Sequence, residues 1–120
     1  MEDRGAKARY LNAILTLGKK YLCVRSVDVA HYLKCSKATV SVYISRLADE
    51  GLLTKEQDGH LALTPQGASY MEEYQERSHY FLALLLAAGL DAESAEREAF
   101  AIAQAIRPET YAALRAHLTI

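Results

Sequence analysis

Between Ser36 and Arg46 the chain lines up hydroxyls and cations at helical spacing. Ser36, Lys37, Thr39, Ser41 and Arg46 supply O–H and N–H donors, and Ala38 and Val42 sit among them. Donors of this kind hydrogen-bond phosphate oxygens and the edges of bases. A helix that opens on small and hydroxylated side chains fits a groove about 12 Å wide. Ser26, at the start of the preceding helical stretch, is a further candidate, as are Lys55 and His60 beside the dipeptide Asp58-Gly59. Each has a plainer reading beside the functional one. Ser36 caps a helix whatever the function, and Lys55 and His60 suit any solvated hairpin.

The elements that would position these residues are legible from periodicity. Tyr10, Leu11, Ile14, Leu15 and Leu17 recur at helical spacing and predict a first helix over 6–21. Ser26 is the expected N-cap of a helix over 27–33. After the tight connection Lys34-Cys35, Ser36 caps a longer helix to about Glu50, with Gly51 as its stop. Val29 and Leu33 face Val40, Ile44 and Leu47, with the small Ala30 allowing close approach, which leaves Lys37, Ala38, Thr39, Ser41 and Val42 outward. Segments 52–56 and 60–64 flank Asp58-Gly59, a strong hairpin turn signal. Thr64-Pro65 opens a long helix through Ala88, Asp91 caps one over 92–106, and Pro108 begins a last one toward Leu118. Helix, tight turn, helix and hairpin in that order make the winged helix-turn-helix pattern. The expected fold is mostly α with a small β-hairpin wing: a DNA-binding domain over 1–70 and an all-α domain over 71–120.

Charge is divided along the same line. The total over 120 residues is −1. Residues 1–60 carry ten Lys/Arg against seven Asp/Glu, and residues 61–120 carry four against eight. The polyanion-facing role therefore belongs to the first half. The longest apolar run, Tyr80 to Leu90, has 11 residues, against the roughly 20 a bilayer requires. The opening Met-Glu-Asp-Arg-Gly has no apolar core, so no signal peptide is expected. Cys23 and Cys35 form no CxxC pair; both are expected as buried small hydrophobes in a reducing cytoplasm. No phosphate-binding glycine loop, GxSxG or HExxH occurs, and no enzymatic activity is expected.

The stretch VRSVDVAHYLKCSKATVSVYISRLADEGLLTKEQDGHLALTPQG resembles the DNA-binding half of the diphtheria toxin repressor and manganese transport regulator family. ERSHYFLALLLAAGLDAESA resembles that family's linker helix, EAFAIAQAI its fifth helix and RPETYAALRAHL its sixth. The resemblance implies a homodimer, joined through residues 71–120, that represses transcription from a palindromic double-stranded DNA operator. It also implies gating by Mn²⁺ or Fe²⁺, and here the sequence departs. The positions that hold the family's carboxylate and imidazole ligands carry Arg9, Asn12, Ser78, Phe100, Ala103 and Gln104. Hard and borderline cations need donors that Phe and Ala lack. No metal at these positions and no cofactor are expected.

Two other readings stand beside this one. Tyr70, Tyr74, Tyr80 and Phe81 could line a pocket for a different small-molecule effector, although core or dimer packing accounts for them more simply. Alternatively, the chain is a dimerising module that modulates a metal-sensing paralogue. The salt dependence of DNA binding separates that reading from the first.

Overall fold

A computed structural model describes residues 4–118. The chain divides into two compact units, Met1–Met71 and Glu72–Ile120, with the boundary inside one long helix. The first unit begins with α1 (Arg4–Gly18), followed by β1 (Val24–Arg25), α2 (Ser26–Leu33) and α3 (Lys37–Asp49). The hairpin strands β2 (Leu53–Lys55) and β3 (His60–Leu63) then lead into α4 (Pro65–Ala87). The second unit takes up the later part of α4, with α5 (Ala92–Ala105) and α6 (Pro108–His117).

In the first unit the apolar stripe of α1 supplies much of the core. Tyr10, Leu11, Ile14 and Leu17 are buried, together with Val29 of α2 and Val40, Ile44 and Leu47 of α3. The i, i+4, i+7 spacing of the α3 trio turns one face inward and leaves the opposite face free. α1 ends at Gly18, short of the expected Tyr21. The stripe fails there: Tyr21 is half exposed and Leu22 fully so, and nothing apolar rewards another helical turn.

The sequence pattern marks residues 22–25 only as a short gap, but Val24 and Arg25 form an edge strand. They pair antiparallel with β3, in register Val24↔Leu61 and Arg25↔His60, giving a three-stranded sheet in the order β1-β3-β2. This strand also moves the cap of α2. Its N-cap is Arg25, whose amide donates to the Asp28 carboxylate at 2.9 Å, and Ser26 is the first helical residue rather than the cap.

Gly67 fixes how α4 leaves the hairpin. A Cβ on it would lie 1.9 Å from the Leu52 carbonyl oxygen, so the helix rests against the backbone of the hairpin's start. The Thr64 hydroxyl accepts from the Gly67 amide at 3.0 Å and donates to the Gly51 carbonyl at 2.6 Å, which caps α4 and holds the same junction.

The second unit packs Phe81 of α4, Ala99 of α5 and Tyr111 of α6 together, with Tyr80, Leu85, Ile102 and Leu114 against them. Tyr80 meets Phe81 and Tyr111 edge-on at 5.1 and 5.6 Å. Its hydroxyl donates to the Leu114 carbonyl at 3.1 Å. Tyr80 and Phe81 are thus core residues of this unit. Arg77 is buried, paired with Glu73 at 2.8 Å, and its guanidinium lies 5.7 Å from the Tyr111 ring centre. Among the described residues no helix is long and apolar enough to cross a membrane.

Candidate nucleic-acid interface

α3 presents the surface that its sequence pattern calls for. Ser36, Lys37, Ala38, Thr39, Ser41, Val42 and Arg46 are all exposed, while Val40, Ile44 and Leu47 lie beneath them. Ser36 is the N-cap: its hydroxyl accepts from the Thr39 amide at 3.1 Å and lies 2.9 Å from the Thr39 hydroxyl. Because Ser36 Oγ donates to Thr39 Oγ1, the Thr39 hydroxyl does not spend its own proton in this bond. That proton can be given to an acceptor outside the protein.

Two aromatic rings brace the helix from below. Tyr43 of α3 stacks on Tyr10 of α1, centroids 4.8 Å apart and nearly parallel. The Arg46 guanidinium lies 5.1 Å from the Tyr43 ring centre. That contact restrains the exposed Arg46 by a cation–π interaction. The Tyr10 hydroxyl reaches Cys35 Sγ at 3.9 Å; burial, and then this thiol, raise its pKa above the ordinary tyrosine value. Cys35 is half-buried at the turn between α2 and α3.

That turn is tight because Lys34 adopts a left-handed conformation (φ 57°), as the only described non-glycine residue with positive φ. The Cys35 amide then donates back to the Ala30 carbonyl at 3.0 Å. Ser26 is placed differently from the α3 residues. It is half-buried, and its hydroxyl is enclosed with no hydrogen-bond partner.

In the wing, Lys55 is exposed at the end of β2 and His60 is half-buried at the start of β3. The turn closes with Gly59 at φ 91°, its amide donating to the Glu56 carbonyl at 2.8 Å. His60 does not stand alone: its Nδ1 lies 2.7 Å from Asp58 Oδ1. The His60 amide donates to the same carboxylate at 3.1 Å, and this bond, before the ring contact, holds the Asp58 pKa below the usual carboxylate value.

Two residues of the wing escape a reading of the sequence. Arg25 donates from its guanidinium to the Asp58 carbonyl, so a cation of β1 belongs to the wing. Cys23, expected to be buried, is exposed, because the stretch just before β1 lies on the surface. The pairing of β1 with β3 is the signal for both, and a two-residue strand has too little periodicity to read.

Residues 6–61 match the iron dependent repressor, N-terminal DNA binding domain. The first unit of this chain belongs to that family. No curated protein matches. Among solved structures, the hypothetical protein SSo2273 from Sulfolobus solfataricus aligns with a TM-score of 0.64, over 94% of this chain and 87% of that one. At 20% identity the likeness is one of fold.

The iron dependent repressors are DNA-binding regulators, and that is the character of this unit. The metal their name implies finds a poor donor set at the positions where the sequence resemblance places it. Ala103 is buried, Phe100 is half-buried, and Ser78 offers a single enclosed hydroxyl without a hydrogen-bond partner. Arg9 is exposed and places a positive charge, 5.7 Å from the Tyr10 ring centre. Residues of these kinds do not fit Mn²⁺ or Fe²⁺, which take carboxylate, imidazole or thiolate donors.

Proposed function

We propose that this chain is a sequence-specific transcriptional regulator, a repressor that binds a palindromic operator as a homodimer without Mn²⁺ or Fe²⁺ gating. The observation that carries the reading is the exposed start of α3, where Lys37, Thr39, Ser41 and Arg46 all lie on the surface around a buried apolar trio. Lys37 and the α3 N-terminal amides meet phosphate, and Thr39 meets a base edge. Lys55 and His60 of the wing add backbone contacts, with Arg25 beside them. Residues 71–120, where acids outnumber bases, form the dimer interface and keep their negative charge away from DNA.

Metal independence follows from the donor chemistry at positions 9, 12, 78, 100, 103 and 104. In a metal-gated relative, acids at such positions repel until a cation bridges them. Here the side chains carry no acid to be bridged, and Arg9 is a permanent cation. Selection of bound DNA from a random pool, followed by gel shifts with and without EDTA, tests both parts. A defined half-site bound equally in chelator is expected. Failure to enrich any sequence overturns the DNA reading, and loss of binding in EDTA restored by Mn²⁺ or Fe²⁺ overturns metal independence.

A further inference from the structure

We propose that Cys23, Asp58 and His60 form a binding site for a divalent transition-metal ion of the zinc class, at the turn of the wing. This site is distinct from the positions of the family's metal and does not depend on the DNA-binding reading. In the register Val24↔Leu61 and Arg25↔His60, Cys23 falls opposite Ala62, two residues along β3 from His60 and so on the same face of the sheet. The Cys23 Sγ, an Asp58 carboxylate oxygen and a His60 ring nitrogen all lie within 4.8 Å of one another. Among the described residues this is the one group of three such side chains gathered so closely.

The donor set selects the ion. A thiolate, an imidazole and a carboxylate together suit Zn²⁺ and its neighbours, whereas Mg²⁺ and Ca²⁺ prefer all-oxygen cages. Tetrahedral coordination at bond lengths of about 2.0–2.3 Å sets donors roughly 3.3–3.8 Å apart. The gathered atoms therefore need to contract by about 1 Å at their widest to reach those spacings. Cys23 and Asp58 are exposed and can make that adjustment by side-chain rotation. The His60–Asp58 contact of 2.7 Å opens slightly as an ion replaces the hydrogen bond between them.

The surroundings prepare the ligands. The His60 amide donates to the Asp58 carboxylate, and Arg25 holds the Asp58 carbonyl, so the turn is already oriented. Asp58 is kept in its ionised form by the same amide. On binding, the sulfur–metal bond forms as the Cys23 thiol proton leaves to solvent. The ion's two positive charges are then balanced by thiolate and carboxylate; with one proton released, the site passes from −1 to neutral beside Arg25. Three protein ligands leave a fourth position for water. The consequence is a crosslink between the wing turn and the chain entering β1, which fixes the wing.

Titration of the reduced protein with Co²⁺, followed by displacement with Zn²⁺, tests the site. One Co²⁺ per chain is expected, with a thiolate-to-cobalt charge-transfer band in the near ultraviolet. Cys23→Ser is expected to abolish the band, and His60→Gln and Asp58→Asn each to weaken uptake at least about tenfold. Cys35→Ser leaves the band in place, which separates the two thiols, and circular dichroism verifies that each variant folds. Absence of the band at millimolar Co²⁺ overturns the proposal. So does a band that survives Cys23→Ser, or uptake undiminished in both His60→Gln and Asp58→Asn.

Discussion

The Ser36 hydroxyl accepts from the Thr39 amide and donates to the Thr39 hydroxyl, so one serine both caps α3 and holds the side chain that we propose reads a base. The two roles come apart in variants. Ser36→Ala is expected to lower unfolding stability by about 1 kcal/mol, and Ser36→Gly by only a few tenths. Thr39→Val keeps the amide cap and changes stability by less than about 0.5 kcal/mol. It is nevertheless expected to shift the sequence preference of the bound DNA. Urea denaturation and repeated DNA selection measure the two effects separately. An unaltered preference in Thr39→Val would remove Thr39 from base readout.

Lys37 is exposed at the first position of α3, where an ion pair with phosphate carries no sequence information. Lys37→Ala is therefore expected to weaken binding on every sequence alike. The plot of log affinity against log salt becomes shallower by about one for each phosphate that the variant no longer neutralises. Fluorescence anisotropy across a salt series gives both numbers. A flat salt response from the unaltered protein would point instead to the module that acts on a protein partner.

The parts of this site that are legible in the sequence are those set by local rules. Ser36 and Asp91 are caps because a short side-chain oxygen satisfies an amide three residues on, and both appear as such. Asp58-Gly59 announces the hairpin because the turn needs a glycine at positive φ. What stays hidden depends on interactions between distant residues. Ser26 has the side chain of a cap, but the pairing of Arg25 with His60 and its amide bond to Asp28 move the helix start by one residue. The same pairing draws Arg25 to the wing turn, and the fold leaves Cys23 close to Asp58 and His60. Neither follows from the type of residue at those positions.

The left-handed Lys34 carries a cost, because its Cβ crowds the backbone there in a way a glycine would not. Lys34→Gly is expected to stabilise the protein by about 0.5–1 kcal/mol, the relief of strain exceeding the added freedom of the unfolded chain. Thermal unfolding in the absence of DNA is the check. A loss of stability would mean that the Lys34 side chain contributes more than its backbone costs.

Gly67 leaves no room for a side chain, since a methyl group there would meet the Leu52 carbonyl oxygen at less than van der Waals distance. The neighbour is backbone and cannot swing aside. Gly67→Ala is expected to cost about 2–3 kcal/mol, despite alanine's better helix propensity. An exposed control within the same helix, Ala68→Gly, costs about 1 kcal/mol for the opposite reason. If Gly67→Ala proves the more stable, α4 does not rest against Leu52 in solution.

Asp91 caps α5, its carboxylate accepting from the Ser94 amide at 3.0 Å. That bond, followed by the interaction with the Ser94 side chain, lowers its pKa in the folded protein. The native state therefore binds fewer protons than the unfolded chain over the interval between the two pKa values, and stability rises with pH there. The contribution is complete above the unfolded aspartate pKa of about 3.9 and is lost as the pH falls through the lower folded value. Asp58, lowered for a similar reason, acts in the same direction. Asp91→Asn keeps an acceptor for the Ser94 amide but cannot titrate. Its melting temperature is expected to decline less steeply than that of the unaltered protein between about pH 5 and pH 3, and Asp58→Asn with Asp91→Asn less steeply still. Parallel profiles for all three proteins would show that neither carboxylate couples its charge to folding.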